Sequence, residues 1–484
     1  MNVDDLSWQA HTLGGVSPRL VRTLLDLGQL ELLIRAAQER GDWHCAEAAA
    51  RELSAGGEFE RALTLMDPFT DIGWRAAEWL TAEIMIQQGQ GDEALAMVRP
   101  DTAELGDGHV CARYAEMAAK AGRADDAIEV LIPHLGEFWL QSHLVEVTEG
   151  QGRDDRVLDV LAQEAERMER TESAVCEQCG QSCGVARTDR WHVLLLISRV
   201  LERAGRTDEA VEILRTETAS GRHHPLNFPE YYAKLLARQG LIEELGALAA
   251  REHHVFDVYA KALEDAGRAP EAEALLRERI EADDHPRDRA ALMHLLVRQG
   301  RIDEAVETGR PTYDYYDCWN LLHWALDLLV TDGRPGRALE LLEGLTGAWA
   351  EGHPDDVLHL RLWLLGEAGR CTEGIAEAAA LHERGPGEWD TALAGLLERD
   401  GRLEESFALL RSSTHRHAAF ELADMLARHG RPVEALAAIP TIAEQREAAE
   451  RREAAERRER EAAELGKQDD PWAGAGETSV ASFT

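Results

Sequence analysis

A glycine with a small residue five positions beyond it recurs down almost the whole chain, and no other feature constrains the fold as tightly. GRTDEA at 205–210 is the clearest copy, and GQGDEA from Gly89, GRADDA from Gly122, GRAPEA from Gly267, GRIDEA from Gly300, GRPGRA from Gly333 and GRPVEA from Gly430 repeat it. Weaker copies begin at Gly28, Gly57, Gly152, Gly240, Gly369 and Gly401, which makes thirteen. Successive glycines lie 29, 32, 33, 30, 53, 35, 27, 33, 33, 36, 32 and 29 residues apart. A period of this length, with one supersecondary unit per copy, restricts the chain to stacked repeats that make a core only by packing on their neighbours.

The unit reads as a helical hairpin. Four residues before the glycine stands Leu24, Leu53, Leu201, Leu236, Leu263, Leu296, Leu329, Leu365, Leu397 or Leu426, ten leucines in thirteen copies. Seven before it stands Ala50, Ala82, Ala115, Ser198, Ala233, Ala260, Ala394 or Ala423. Positions three apart share one face of a helix, so a first helix carries a small-plus-leucine stripe and ends at the glycine, which supplies a left-handed cap. Asp125, Asp208 and Asp303 then fall in the first turn of a second helix, where a carboxylate meets the positive end of the helix dipole. The alanine five past the glycine, at 62, 94, 127, 210, 272, 305, 338 and 435, is small so that the two helices of a hairpin can approach closely.

With these residues in place, the pattern over about 17–440 resembles the tetratricopeptide repeat family. Two departures stand out: the proline that usually closes a repeat is mostly missing, and the spacing ranges from 27 to 36 where the family favours 34. The resemblance implies an all-α, right-handed superhelical α-solenoid of about thirteen helix-turn-helix hairpins, elongated, with a first-helix surface that binds protein segments.

The sequence divides into a lead-in at 1–16, a first block at 17–170, an insertion at 171–187 that accounts for the 53-residue spacing, a second block at 188–440, a charged segment at 441–465 and a tail at 466–484. The charged segment, EQREAAERREAAERREREAAEL, has no heptad stripe but carries Glu447–Arg451, Glu453–Arg457 and Glu456–Arg460 pairs in the favourable order, which predicts a solvated single helix. The tail reads as disordered. Fifty-two basic against ninety acidic residues leave a net charge of −38, which argues against nucleic acid and anionic membrane as partners. Nearly all the positive charge is arginine, as in proteins of GC-rich bacterial genomes, and there are four lysines, at 120, 234, 261 and 467. The first residues lack a signal-peptide core and no apolar run is long enough to span a bilayer, so a cytoplasmic location is expected. Seven cysteines fit a reducing compartment.

No nucleophile elbow, phosphate loop, zincin or dinucleotide fingerprint is present, and the expectation is a non-enzymatic scaffold that binds a peptide or protein segment; the alternative is a peptide- or ligand-responsive regulator of a separate effector. Three sets of residues are candidates for sites. Arg199, Lys234, Lys261 and His294 stand six before their glycines in four consecutive hairpins, with Arg203, Arg238 and Arg298 one helical turn on; in the resembling family this column lines the binding face, and a basic stripe there would attract an acidic segment or a C-terminal carboxylate. Tyr313, Tyr315 and Tyr316 form an aromatic run suited to contact, whereas Trp43, Trp191 and Trp319 each stand fourteen before a glycine and read as packing. Cys176, Cys179 and Cys183, with His192 as a fourth ligand, match most of one structural zinc site; inert surface cysteines and a thiol switch are the other readings, so the cofactor is either none or one zinc.

Overall fold

The computed structural model describes residues 2–170, 190–220, 224–310, 316–345, 354–385 and 387–468. Every regular element among them is helical, and there is no strand. The chain forms two compact units, one made of Met1–Gln88 together with Phe407–Thr484, the other of Gly89–Ser406.

Each of the thirteen repeat glycines lies between two helices and has φ between 66° and 89°. Gly205 shows why. It follows the helix Arg190–Arg203, its own N–H donates to the Glu202 carbonyl at 3.0 Å, and the Arg206 N–H reaches back to the Leu201 carbonyl at 2.8 Å. This is the paired hydrogen bonding of a Schellman cap, and the leucine four before the glycine serves it twice, its carbonyl closing the cap while its side chain enters the core. The same pair of bonds recurs at Gly267, Gly300 and Gly430. A Cβ on Gly205 would meet nothing within 4 Å, so Gly205→Ala should lower stability through backbone strain alone, by about 1–2 kcal/mol. Gly336 is equally open but lies inside the helix Pro335–Glu343 with no positive φ, and Gly336→Ala should instead stabilise, by up to about 1 kcal/mol. Urea unfolding of the two variants measures this opposition of sign.

The three columns read from the sequence are all core. The leucines four before the glycine are at most 5 % exposed. The position five past the glycine is buried in every hairpin, yet it is not always small, because Leu33, Val157 and Leu245 occupy it as completely as the alanines do. Burial rather than size is what the position demands. Where it holds Ser406, the hydroxyl donates to the Ala394 carbonyl at 2.8 Å, which places the column directly against the small residue seven before the same glycine. Trp43 is buried with its ring edge-on to Phe69 and Trp74, as its packing position requires.

The carboxylates at the start of the second helices do more than face a dipole. No side chain caps the helix Thr207–Ala219; instead Arg206 pairs with Glu209 at 2.8 Å, one turn into the helix. The arginine one past a glycine also reaches the carboxylate three past the previous glycine, as in Arg123–Asp92 at 3.0 Å, Arg153–Asp125 at 2.9 Å and Arg334–Asp303 at 2.7 Å. Arg153 and Arg156 hold the Asp125 carboxyl below its ordinary range by hydrogen bonding to its charged form. The recurring Gly-Arg-x-Asp pattern is therefore an ion-pair ladder from hairpin to hairpin.

Within the first unit the first and last hairpins pack on each other. The last first helix, Ala418–Arg428, packs on the first one, Pro18–Asp26. Arg19 there bonds Asp424 at 2.7 Å. Arg40 donates to the carbonyls of Leu436, Ile439 and Pro440 at 2.6, 2.8 and 3.0 Å. The lead-in is itself a helix, Val3–Thr12, and the charged segment is a helix, Ile442–Gln468, whose first turns are docked rather than solvated. Gln445 clasps both the N–H and the carbonyl of Gly15, at 2.9 and 3.2 Å, and Arg446 pairs with Asp5 at 2.6 Å. Terminal repeats of a solenoid must hide an apolar face, and here each end covers the other.

Candidate functional site

In the Gly89–Ser406 unit the first helices Arg190–Arg203, Asn227–Arg238, Phe256–Asp265, Pro286–Arg298 and Tyr316–Thr331 each pack on the one before and present one continuous surface. Two adjoining clefts lie on it. Lys234, Arg238, Asp257, Lys261 and Asp265 line one of about 640 Å³, and Asp257, Lys261, His294 and Arg298 line the other, of about 190 Å³.

The candidate column is thus brought together on one surface, but not as a basic stripe. Lys234 pairs with Glu230 at 2.6 Å, Arg238 with Glu202 at 2.7 Å, and Arg199 lies 3.8 Å from both Glu146 and Glu149. Lys261 pairs with Asp265, and Arg298 with Glu264. Arg203 is consumed in packing, where it bonds Asp154 and the Val145 carbonyl. His294 is held below the usual imidazole range by burial and by Arg298 beside it, so it is not a cation at neutral pH. Each lysine and arginine of the column thus has a carboxylate within 4 Å, which offsets its charge locally.

What the surface carries instead is a set of ring contacts that cross hairpin boundaries. His294 lies against Trp324 with ring centroids 4.3 Å apart, His323 stacks on Trp363 at 5.7 Å with planes 2° apart, and His359 meets Trp389 edge-on at 4.4 Å. His294, His323 and His359 are exposed. Further back, Tyr231 stands nine before its glycine, as Trp324 does. Its hydroxyl is buried and its pKa is pushed up to about 12, by burial and then by Glu202. His323, Trp363, His359 and Trp389 escaped the sequence reading: His323 and His359 both stand ten before their glycines, but their partners Trp363 and Trp389 stand six and twelve before theirs, so only the packing of one helix on the next pairs them.

Tyr313 and Tyr315 lie outside the described residues, and Tyr316 opens the helix Tyr316–Thr331. Cys176, Cys179 and Cys183 also lie outside the described residues; His192 shares a hydrogen bond with Ser142 at 3.0 Å and meets Phe138 edge-on. Among the described residues no three His, Cys, Asp or Glu side chains are grouped to hold a metal ion, and no helix is long and apolar enough to cross a membrane. Cys45, Cys111 and Cys371 are free and buried, and burial pushes the Cys45 thiol up, with Asp42 adding to the effect.

No protein-family model and no curated protein matches the chain. Solved structures similar to it are helical-repeat proteins. Naa15/Naa10 bound to HypK-THB matches with a TM-score of 0.36 and 13% identity, over 81% of this chain and 67% of that one. The pentatricopeptide repeat protein PPR10 in complex with an 18-nt psaJ RNA element matches at 0.34 and 15%, over 87% of this chain and 62% of PPR10. Yeast Tom70 matches at 0.27 and 13%, over 86% and 96%. The exclusion of nucleic acid drawn from the net charge is withdrawn, since a similar helical-repeat structure was solved with RNA bound. On its own geometry, cap by cap and column by column, the described chain is an all-α protein of repeated helical hairpins.

Proposed function

We propose that the chain is a non-catalytic scaffold that holds a protein segment along the first-helix surface of residues 89–406. The observation that carries this is the run of exposed imidazoles on indoles, His294–Trp324, His323–Trp363 and His359–Trp389, which continues over four consecutive hairpins. The hairpin leucines and small residues are used in packing and the glycines in caps; the imidazoles are exposed on half-buried Trp324 and Trp363 and on buried Trp389, aromatic surface of the kind that contact residues at protein interfaces offer. A partner laid across them would bury aromatic surface without giving up the paired charges beside it.

A photo-cross-linking residue in place of His323 should capture a protein segment, and the same residue in place of Glu340, exposed on the second helix Pro335–Glu343, should capture little. The double variant His323→Ala with Trp363→Ala should weaken the captured complex about tenfold or more while leaving the thermal unfolding midpoint of the chain within a few degrees. Equal capture at the two positions would overturn the reading, and so would capture of a nucleic acid strand at 323.

A further inference from the structure

The meeting of the two chain ends in the first unit builds a cleft of about 660 Å³, walled by Trp8 and Leu13 from one end, Phe420 and Asp424 from the last first helix, and Gln445 and Ala448 from the final helix. Four features set it apart from ordinary surface. Asp424 is only 5 % exposed, and its Oδ1 has no hydrogen-bond partner. Its other oxygen forms an ion pair with the Arg19 Nε at 2.7 Å, and the Arg19 side chain is 68% exposed. Leu13, at the mouth, is 62% exposed and is the one non-glycine among the described residues with positive φ, 55°. Gly14 beside it lies so close over the Trp8 ring that a Cβ would sit 2.1 Å from it. A left-handed leucine held open to solvent over a fitted glycine–indole contact is stored strain of the kind found at binding sites.

Trp8, Leu13 and Phe420 give the cleft an apolar wall, and Glu421, Glu444 and Glu456 stand on its lining against Arg416 and Arg452; with a half-satisfied buried carboxylate, this suits a long basic side chain whose stem lies on the rings and whose head takes the acid. We infer that this cleft receives a lysine or arginine side chain of a partner protein, whose cationic head displaces Arg19 and completes the hydrogen bonding of Asp424. Arg19 is the intramolecular stand-in: it delivers the right charge from the wrong side, leaving Oδ1 unmet and its own guanidinium mostly in water. Burial holds the Asp424 carboxyl above its ordinary range, against the opposing pull of Arg19 and Arg428, so a cation that meets both oxygens in place of Arg19 would relieve an unfavourable state already present in the free chain. The net charge of −38 draws basic segments toward the protein before any contact is made. The site is separate from the aromatic face proposed above, since every residue of it belongs to the other unit.

The test uses the full chain and a capped Gly-Gly-Arg-Gly-Gly peptide carrying a fluorophore, against the same peptide with citrulline, the neutral isostere, in place of arginine. The arginine peptide should bind about tenfold more tightly, the scale of one hydrogen bond to a charged group. Asp424→Asn should abolish that preference, whereas Glu421→Gln, a rim carboxylate of the same cleft, should keep it. Arg19→Ala should tighten the arginine peptide several-fold. Equal binding of the two peptides, a preference that survives Asp424→Asn, or one that Glu421→Gln removes equally would each overturn the assignment. Should Asp424→Asn not fold, Arg19→Ala decides alone, because an unchanged or weakened affinity there contradicts displacement.

Discussion

Arg40→Ala should release the end of the chain from its beginning, at a cost of about 2–4 kcal/mol. A hydrogen bond from a charged donor contributes about 1.5–3 kcal/mol, and the three that Arg40 makes share one guanidinium and do not add in full. The carbonyls it meets, those of Leu436, Ile439 and Pro440, lie where the helix Pro432–Ala438 ends and the chain leads into Ile442–Gln468, outside the regular hydrogen bonding of either helix. Without the guanidinium the Ile439 carbonyl must find water, Leu436 and Pro440 keep only the Ile439 N–H at 3.3 Å and the Gln445 amide at 2.9 Å, and Gln445 and Arg446 lose the geometry that seats them on Gly15 and Asp5. Amide exchange in Pro432–Ala438 and in the first turns of Ile442–Gln468 should accelerate by two orders of magnitude or so, following the same free energy. Arg40→Lys should recover less than half of the loss, since a single ammonium cannot fork to three carbonyls. Exchange unchanged in the alanine variant would mean that the ends are held by apolar packing alone.

Leu263→Ala should cost about 2–5 kcal/mol, the range for removing a fully buried leucine from a packed core. Leu263 is 0% exposed, and its own carbonyl accepts the Arg268 N–H at 2.8 Å to close the cap around Gly267. The backbone role survives the substitution and the side-chain role does not, so the effect reports packing alone. Each hairpin contacts only its neighbours, so the loss of exchange protection should be confined to the helices from Asn227–Arg238 to Ile302–Thr308. Leu241→Ala, at a position 37% exposed in the same unit, should shift stability by less than about 0.5 kcal/mol. A loss spread evenly through residues 89–406 would contradict nearest-neighbour stability there.

The hairpins were legible because everything that defines them is local. A left-handed glycine, the leucine four before it and the small residue seven before it act over less than two turns of helix, so their spacing alone predicts a cap and a buried stripe at Gly205 or Gly300. The first-turn aspartates were equally visible, but their partners were not, since Asp125 and Arg153 are 28 residues apart and become neighbours only when one hairpin docks on the next. The same holds for the face. Periodicity placed Lys234, Lys261 and His294 in one column, yet charge in a column becomes a field only if it is unpaired, and pairing depends on which carboxylates the helix packing brings within reach. His323 and Trp363 stand ten and six before their glycines and share no register, so the stack between them follows from the offset of one helix against another.

By itself the amino-acid sequence determined the repeat, its helical character, the cap that ends each first helix and the columns that make the core, because these depend on backbone conformation and side-chain size within a single hairpin. Only the tertiary structure decided that Arg19 meets Asp424 and that Arg40 holds the carbonyls near Pro440. Residues some 400 positions apart carry no mutual periodicity, and a contact between the first and last hairpins is fixed by which of their faces pack together, a property of the folded unit that no local spacing encodes.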